Sequence, residues 1–145
     1  MKISTRGRYA LRLMIDLAQH IGTGAVTLKE VSGRQEISVK YLEQIVTLLS
    51  RGGLIRSVRG NQGGYLLTRE PENYTVGEIL RVAEGDLYPV ACMEEQPNRC
   101  ERYFNCKTIK FWEGLYQVID NYVNAATLKD LADESQPDDF WCYSI

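Results

Sequence analysis

Two capped helical stretches set about three residues apart constrain the fold of this chain more than any other feature of its sequence. Thr27-Leu-Lys-Glu30 has the capping-box pattern, in which threonine and glutamate each satisfy a free backbone N–H at a helix start, and a short helix over roughly Leu28 to Gln35 is expected to follow. Ser38 is a natural N-cap for the next helix. In that stretch Leu42, Ile45, Val46, Leu48 and Leu49 share one face, while Lys40, Glu43, Gln44 and Thr47 lie on another, and Arg51-Gly-Gly53 ends it. Two helices joined by a tight turn, the second amphipathic and polar near its start, have helix-turn-helix geometry. Leu54–Val58 and Tyr65–Thr68 then flank Arg59-Gly-Asn-Gln-Gly-Gly64, the pattern of a hairpin with a glycine-rich tip. A hairpin directly after a reading helix is a wing, and Arg59 at its base is a planar cation suited to a narrow minor groove.

The other elements are read around this unit. From Ser4 to about Ile21, Ala10, Leu13, Met14, Leu17, Ala18 and Ile21 recur at helical spacing, and Gly22-Thr-Gly24 ends the helix. Pro71 breaks the chain, and Thr75-Val-Gly-Glu78 repeats the capping-box pattern to start a short helix that Gly85 and Pro89 end. A longer helix is expected from about Thr108, with Ile109, Trp112, Leu115, Tyr116, Ile119, Tyr122 and Val123 at spacings of three and four. Because the core looks complete by residue 85, this stripe is expected to be covered by a second subunit. Thr127-Leu-Lys-Asp130 caps a further turn or two, and Asp138–Ile145 is an aromatic tail able to pack back on the head. The expected class is mainly α with a small β-hairpin wing: a winged helix-turn-helix head (1–85), a cysteine-containing loop (86–107), a dimerisation helix (108–126) and a C-terminal segment returning to the head (127–145).

Charge supports a nucleic-acid reader. The net charge is −2, but residues 1–69 hold eleven Lys and Arg against four acids, leaving +7 on the head and −9 on the remainder. Such a head suits a phosphate backbone. With 145 residues and 44% hydrophobic content the chain can bury one ordinary core, so a multidomain enzyme is not expected. No Ser-His or Cys-His pair and no carboxylate dyad stands at a catalytic spacing, so no enzymatic activity is expected. The N-terminus lacks a secretory apolar segment and no apolar run has membrane-spanning length, which points to the cytoplasm.

In a cytosolic chain, cysteines read first as thiols, metal ligands or redox groups. Cys92, Cys100 and Cys106 lie together in the acidic loop and Cys142 in the tail. The paired Cys-x-x-Cys spacing of a structural zinc site is absent. His20, the sole histidine, falls at the end of the first helix, where the helix dipole is sufficient reason for it.

Lys2-Ile-Ser-Thr-Arg-Gly-Arg-Tyr9-Ala10, Ile37-Ser38, Tyr41-Leu42-Glu43-Gln44, Gly53-Leu54, Ser57-Val58-Arg59-Gly60, Gly63-Gly64-Tyr65-Leu66 and the three downstream cysteines closely resemble the IscR-type winged-helix regulators. These bacterial transcription factors take in iron–sulfur cluster assembly regulators, nitric-oxide sensors and cysteine-metabolism repressors, and the resemblance covers essentially residues 1 to 135. It implies a helix-turn-helix over Leu28 to Arg51 that meets double-stranded DNA through Ser38, Lys40, Tyr41, Glu43 and Gln44. Arg59, Gly60 and Tyr65 would serve on the wing, and a symmetric homodimer would read a pseudo-palindromic operator. The implied cofactor is an iron–sulfur cluster on Cys92, Cys100 and Cys106, [2Fe–2S] being the expected form and [4Fe–4S] the alternative.

Two familiar fourth ligands are replaced in this chain. The histidine three residues after the last cysteine in the cluster-assembly regulators is Ile109 here, and the acidic residue early in the partner's first helix in the nitric-oxide sensors is Arg8. Glu94, Glu95, Glu101, His20, Cys142, solvent or a small thiol are then the candidates. The leading expectation is a cluster-dependent repressor of iron–sulfur biogenesis genes. The alternative is a cluster-free regulator of cysteine or sulfur metabolism, or of a redox or nitric-oxide response, controlled by a protein partner or by thiol oxidation.

Overall fold

The computed structural model describes residues 1–133. Six α-helices surround one hairpin: α1 (Thr5–Gln19), α2 (Leu28–Gln35), α3 (Val39–Arg51), β1 (Ile55–Val58), β2 (Gly64–Leu67), α4 (Val76–Glu84), α5 (Ile109–Ala125) and α6 (Leu128–Ala132). Caps set most of the starts. Ser4, Thr27, Ser38, Thr75 and Thr127 each accept the N–H of the third helical residue, and the boxes at Thr27–Glu30 and Thr127–Asp130 close reciprocally. The box expected at Thr75 is only half made, because the Glu78 carboxylate accepts from Arg69 (2.6 Å) instead of from Thr75 N–H. α1 also ends before Ile21: His20 caps it, and Ile21 is exposed.

The core is organised on α1. Its Ala10, Leu13, Met14 and Leu17 meet Leu42, Ile45, Val46 and Leu49 of α3, with Leu54, Ile55, Tyr74, Ile79 and Leu128 closing the cluster. Leu128 is fully buried, so the core is not complete by residue 85 as expected; the chain returns after α5 to finish it. Backbone pairing fixes that return, with Val76 N–H donating to Ala126 O (2.9 Å) and Leu128 N–H to Tyr74 O (3.0 Å). Tyr74 also joins wing to core: its buried hydroxyl donates to Leu54 O (2.8 Å) and accepts from the N–H groups of Thr68 and Arg69 (2.9 Å each).

β1 and β2 pair antiparallel from Ile55↔Leu67 to Val58↔Gly64, and Val26 adds a further rung against Tyr65. The glycine-rich tip is therefore a close-packed turn. A Cβ at Gly64 would run into the Val26 backbone, and one at Gly63 into Val58 O. α5 packs on α4 through Ile119 and Val123, beside the small cluster of Val76, Leu80, Leu87 and Ala126. No residue of α5 is fully buried, and Phe111, Leu115, Val118 and Tyr122, spaced four, three and four apart, stay exposed. The sequence reading counted Leu115 and Tyr122 in this stripe but left out Phe111 and Val118.

Candidate nucleic-acid interface and cysteine loop

α3 carries its apolar face inward and leaves Lys40, Glu43, Gln44 and Thr47 exposed one turn apart. Ser38 is exposed, but its hydroxyl caps the helix by accepting Tyr41 N–H (3.2 Å). Tyr41 is half-buried, its ring edge-on to Tyr9 at 5.6 Å. On the wing Arg59 and Gly60 are exposed, Gly60 turning the chain at φ 108°, whereas Tyr65 is half-buried against the core. Lys40, Arg51, Arg56 and Arg59 form no ion pair among the described residues. An exposed polar helix face beside a cationic hairpin can hydrogen-bond base edges and neutralise phosphates.

Not all of the head's positive charge faces outward. Arg34 forms a forked pair with Asp16, Nε to Oδ2 at 3.0 Å and Nη2 to Oδ1 at 2.7 Å, and Gln35 Nε2 donates to Oδ2 at 3.1 Å. Asp16 is 1% exposed, the one charged side chain in the core among the described residues. Burial pushes its carboxyl up, but hydrogen bonds from Arg34 and Gln35 and the nearby Arg34 and His20 charges outweigh this and hold it below its ordinary range. Arg12 in turn donates to Gln35 Oε1 (3.2 Å) and to the Gln35 carbonyl. Sequence reasoning missed this network, although a lone acid between Leu13 and Leu17 on an apolar helix was its signal.

A second long-range contact sits at the other end of α1. Glu84 Oε1 accepts from Ser4 N–H (3.1 Å), Gly7 N–H (2.8 Å) and the Ser4 hydroxyl. The last residue of α4 thus caps the first turn of α1, one residue before the chain enters the cysteine loop.

In that loop Met93 is the buried anchor, while Cys92 and Cys100 are exposed and Cys106 is half-exposed. Asn98 bridges the first two cysteines, its amide donating to Cys92 O and its Oδ1 accepting Cys100 N–H (2.8 Å). Cys92 and Cys100 share a cavity of about 330 Å³ with Ala91, Glu94, Glu95 and Arg99, and Glu95 pairs with Arg99 at 3.1 Å. Cys106 lies outside its lining. Its Sγ is 3.4 Å from Thr108 Oγ1, and that contact, with backbone N–H groups at the start of α5, holds its thiol below the usual cysteine value. The donors suit an iron–sulfur cluster in kind, yet they are not assembled: among the described residues no three His, Cys, Asp or Glu side chains converge on a metal position. His20, capping the far end of the 15-residue α1 from the Ser4–Glu84 contact, is about 24 Å from that end of the helix. Cys142 lies outside the described residues. Among those residues no helix is long and apolar enough to cross a membrane.

A capped helix-turn-helix, a hairpin wing and an outward polar α3 face define a winged-helix transcriptional regulator rather than an enzyme. The family model Rrf2, described as an iron-dependent transcriptional regulator, matches residues 3–134, and the chain belongs to this family. It is 41% identical to the HTH-type transcriptional regulator CymR of Bacillus subtilis, over 91% of this chain and 90% of that protein. To IscR of Klebsiella pneumoniae it is 34% identical, over 94% and 82%. The solved structure of T. potens IscR superposes with a TM-score of 0.74 at 39% identity, covering 94% of this chain and 89% of that one.

Proposed function

We propose that this regulator is a homodimeric repressor that binds a pseudo-palindromic operator and is controlled through its cysteine loop. The observation that carries the reading is the exposed α3 face Lys40-Glu43-Gln44 beside exposed Arg59 on a +7 head. α5 supports the dimer, because Phe111, Leu115, Val118 and Tyr122 form an apolar stripe that a second copy of the same stripe would cover. Two heads related by that axis would present two reading helices to half-sites about one helical turn of DNA apart.

For the effector, the donor set supports an iron–sulfur cluster on Cys92, Cys100 and Cys106, and we propose iron–sulfur biogenesis genes as the targets. When bound, the cluster supplies a redox- and oxygen-labile group whose loss changes the charge and restraint of the loop. The protein's own part is to present the thiols: Asn98 holds Cys92 and Cys100 in one turn, and Thr108 favours the Cys106 thiolate. Anaerobic reconstitution followed by iron, sulfide and absorption measurements tests this, since Cys92→Ala/Cys100→Ala/Cys106→Ala should bind neither element. Equal iron and sulfide in that variant would refute it.

A second reading is supported by the separation of Cys106 from the cavity shared by Cys92 and Cys100. In it no cluster forms, and thiol oxidation or a protein partner sets operator affinity, in a cysteine-metabolism or redox circuit. Operator binding that responds to peroxide in iron-free protein, and loses the response in the triple variant, favours this reading.

A further inference from the structure

A carboxylate on the buried face of a helix needs a reason. Asp16 sits among Leu13, Met14, Leu17 and Ala18, where a hydrophobic residue would pack without any desolvation cost. Buried ion pairs are weak evidence for stability, and their best-attested use is to specify one arrangement over its near alternatives. Here the partners are consecutive residues at the end of α2, Arg34 and Gln35. Arg12, one turn earlier on α1, grips the same Gln35 by both its side chain and its carbonyl.

The next residue is the strained one. Glu36 takes left-handed backbone angles (φ 55°, ψ 42°), the one non-glycine with positive φ among the described residues. That conformation is unfavourable in a residue with a side chain and persists only where its neighbours hold it. Ile37 then enters the core and Ser38 caps α3. Glu36 is thus the hinge residue between α2 and α3, its N–H bonded to Ser32 O (2.9 Å) at the end of the helix that the Asp16 network ties to α1.

We infer that Asp16, acting through Arg34 and Gln35, is a positioning residue for base recognition: it fixes the turn of the helix-turn-helix and hence the angle at which α3 meets the major groove. The inference rests on α3 being the reading helix. Asp16 itself touches no DNA. Its loss should therefore loosen base selectivity while leaving phosphate attraction in place, because Lys40, Arg51 and Arg59 are untouched.

The test uses the full-length protein and two fluorescent duplexes of about 30 base pairs, long enough for two half-sites. One is selected from a random pool by the wild-type protein, and the other is a scrambled duplex of the same composition. Asp16→Asn should lower the ratio of selected to scrambled affinity by about tenfold, the size of losing one good base contact. Scrambled affinity and the slope of log K against log salt should stay at wild-type values. Gln35→Met, which breaks the same link at half-buried positions without touching the core, should act in the same direction and carries the test if Asp16→Asn fails to fold. A parallel fall in both affinities, or an unchanged ratio in these variants while Gln44→Ala lowers it, would overturn the inference. If Gln44→Ala also leaves the ratio unchanged, α3 is not the reader, and the reading beneath the inference fails with it.

Discussion

Gly7 is the third residue of α1, and its role follows from what faces it. A Cβ there would run into the Glu84 carboxylate, with Cδ and Cγ each 3.0 Å away. That carboxylate is the end of a flexible side chain, so Gly7→Ala would displace it rather than disrupt the helix. The displacement removes the acceptor for Ser4 N–H and Gly7 N–H, which bond it at 3.1 and 2.8 Å. A hydrogen bond to a charged group contributes about 1.5–3 kcal/mol and an N-cap about 1 kcal/mol, and partial exposure of Glu84 roughly halves the first. Alanine returns up to about 1 kcal/mol of helix propensity. The expected net destabilisation is about 1–2 kcal/mol, or roughly 3–8 °C in the melting midpoint for a chain of this size. Thermal unfolding by circular dichroism, at one fixed protein concentration, reads it. The decisive arm is Glu84→Ala: with the carboxylate gone, Gly7→Ala should change sign and stabilise by up to about 1 kcal/mol. A Gly7→Ala effect of the same sign and size in both backgrounds would refute the reasoning.

Leu128→Ala should cost about 2–5 kcal/mol in urea unfolding, since this fully buried side chain closes the core from beyond α5. Val118→Asp, placed in the exposed α5 stripe, should shift the protein toward monomer in light scattering and weaken operator binding without lowering the helical signal. Thr108→Val should raise the Cys106 thiol toward its ordinary value and so slow its alkylation by iodoacetamide at neutral pH, read by mass spectrometry against the other cysteines. Because the Asp16 carboxyl lies below its ordinary 3.8 in the folded protein, its contribution is fully present above about pH 4. That contribution is lost as pH falls through the depressed value, so Asp16→Asn should flatten the acid limb of stability against pH.

The head was legible because its signals are local. The capping box at Thr27, the Ser38 cap, the α3 periodicity and the glycine hairpin each depend on residues within a few positions of one another, and each sits where the pattern placed it. Long-range pairing was not legible. Nothing near Glu78 in the sequence says that it will prefer Arg69 to its own cap, and nothing near Thr127 says that Leu128 will be the floor of the core. The same holds at the wing. Glycine density announced a turn, but only the fold shows that Gly64 is needed because the Val26 backbone lies against it. In the cysteine loop the sequence marks the donors, while whether they can converge depends on a segment with little buried surface to fix it. Met93 is its one buried anchor between Leu87 and α5.

The two long-range carboxylates give α1 a mechanical meaning that neither has alone. Glu84 ties the first turn of α1 to the end of α4, where the cysteine loop begins, and Asp16 ties its last turns to the end of α2, next to the turn into α3. Between them α1 is a core-packed helix of 15 residues, about 22 Å long. A packed core does not deform continuously, so a change in the loop that moved Glu84 would be resisted along α1 or would tilt it as one body. The alternative route, from α4 directly to the end of α3, runs through Val82 packed against Gly52, a contact so close that no Cβ fits between them. Both routes end on the termini of α3 rather than on its exposed polar side chains. If α3 reads the operator as proposed, regulation through the loop would act on how that helix is presented and not on Lys40, Glu43 and Gln44 themselves.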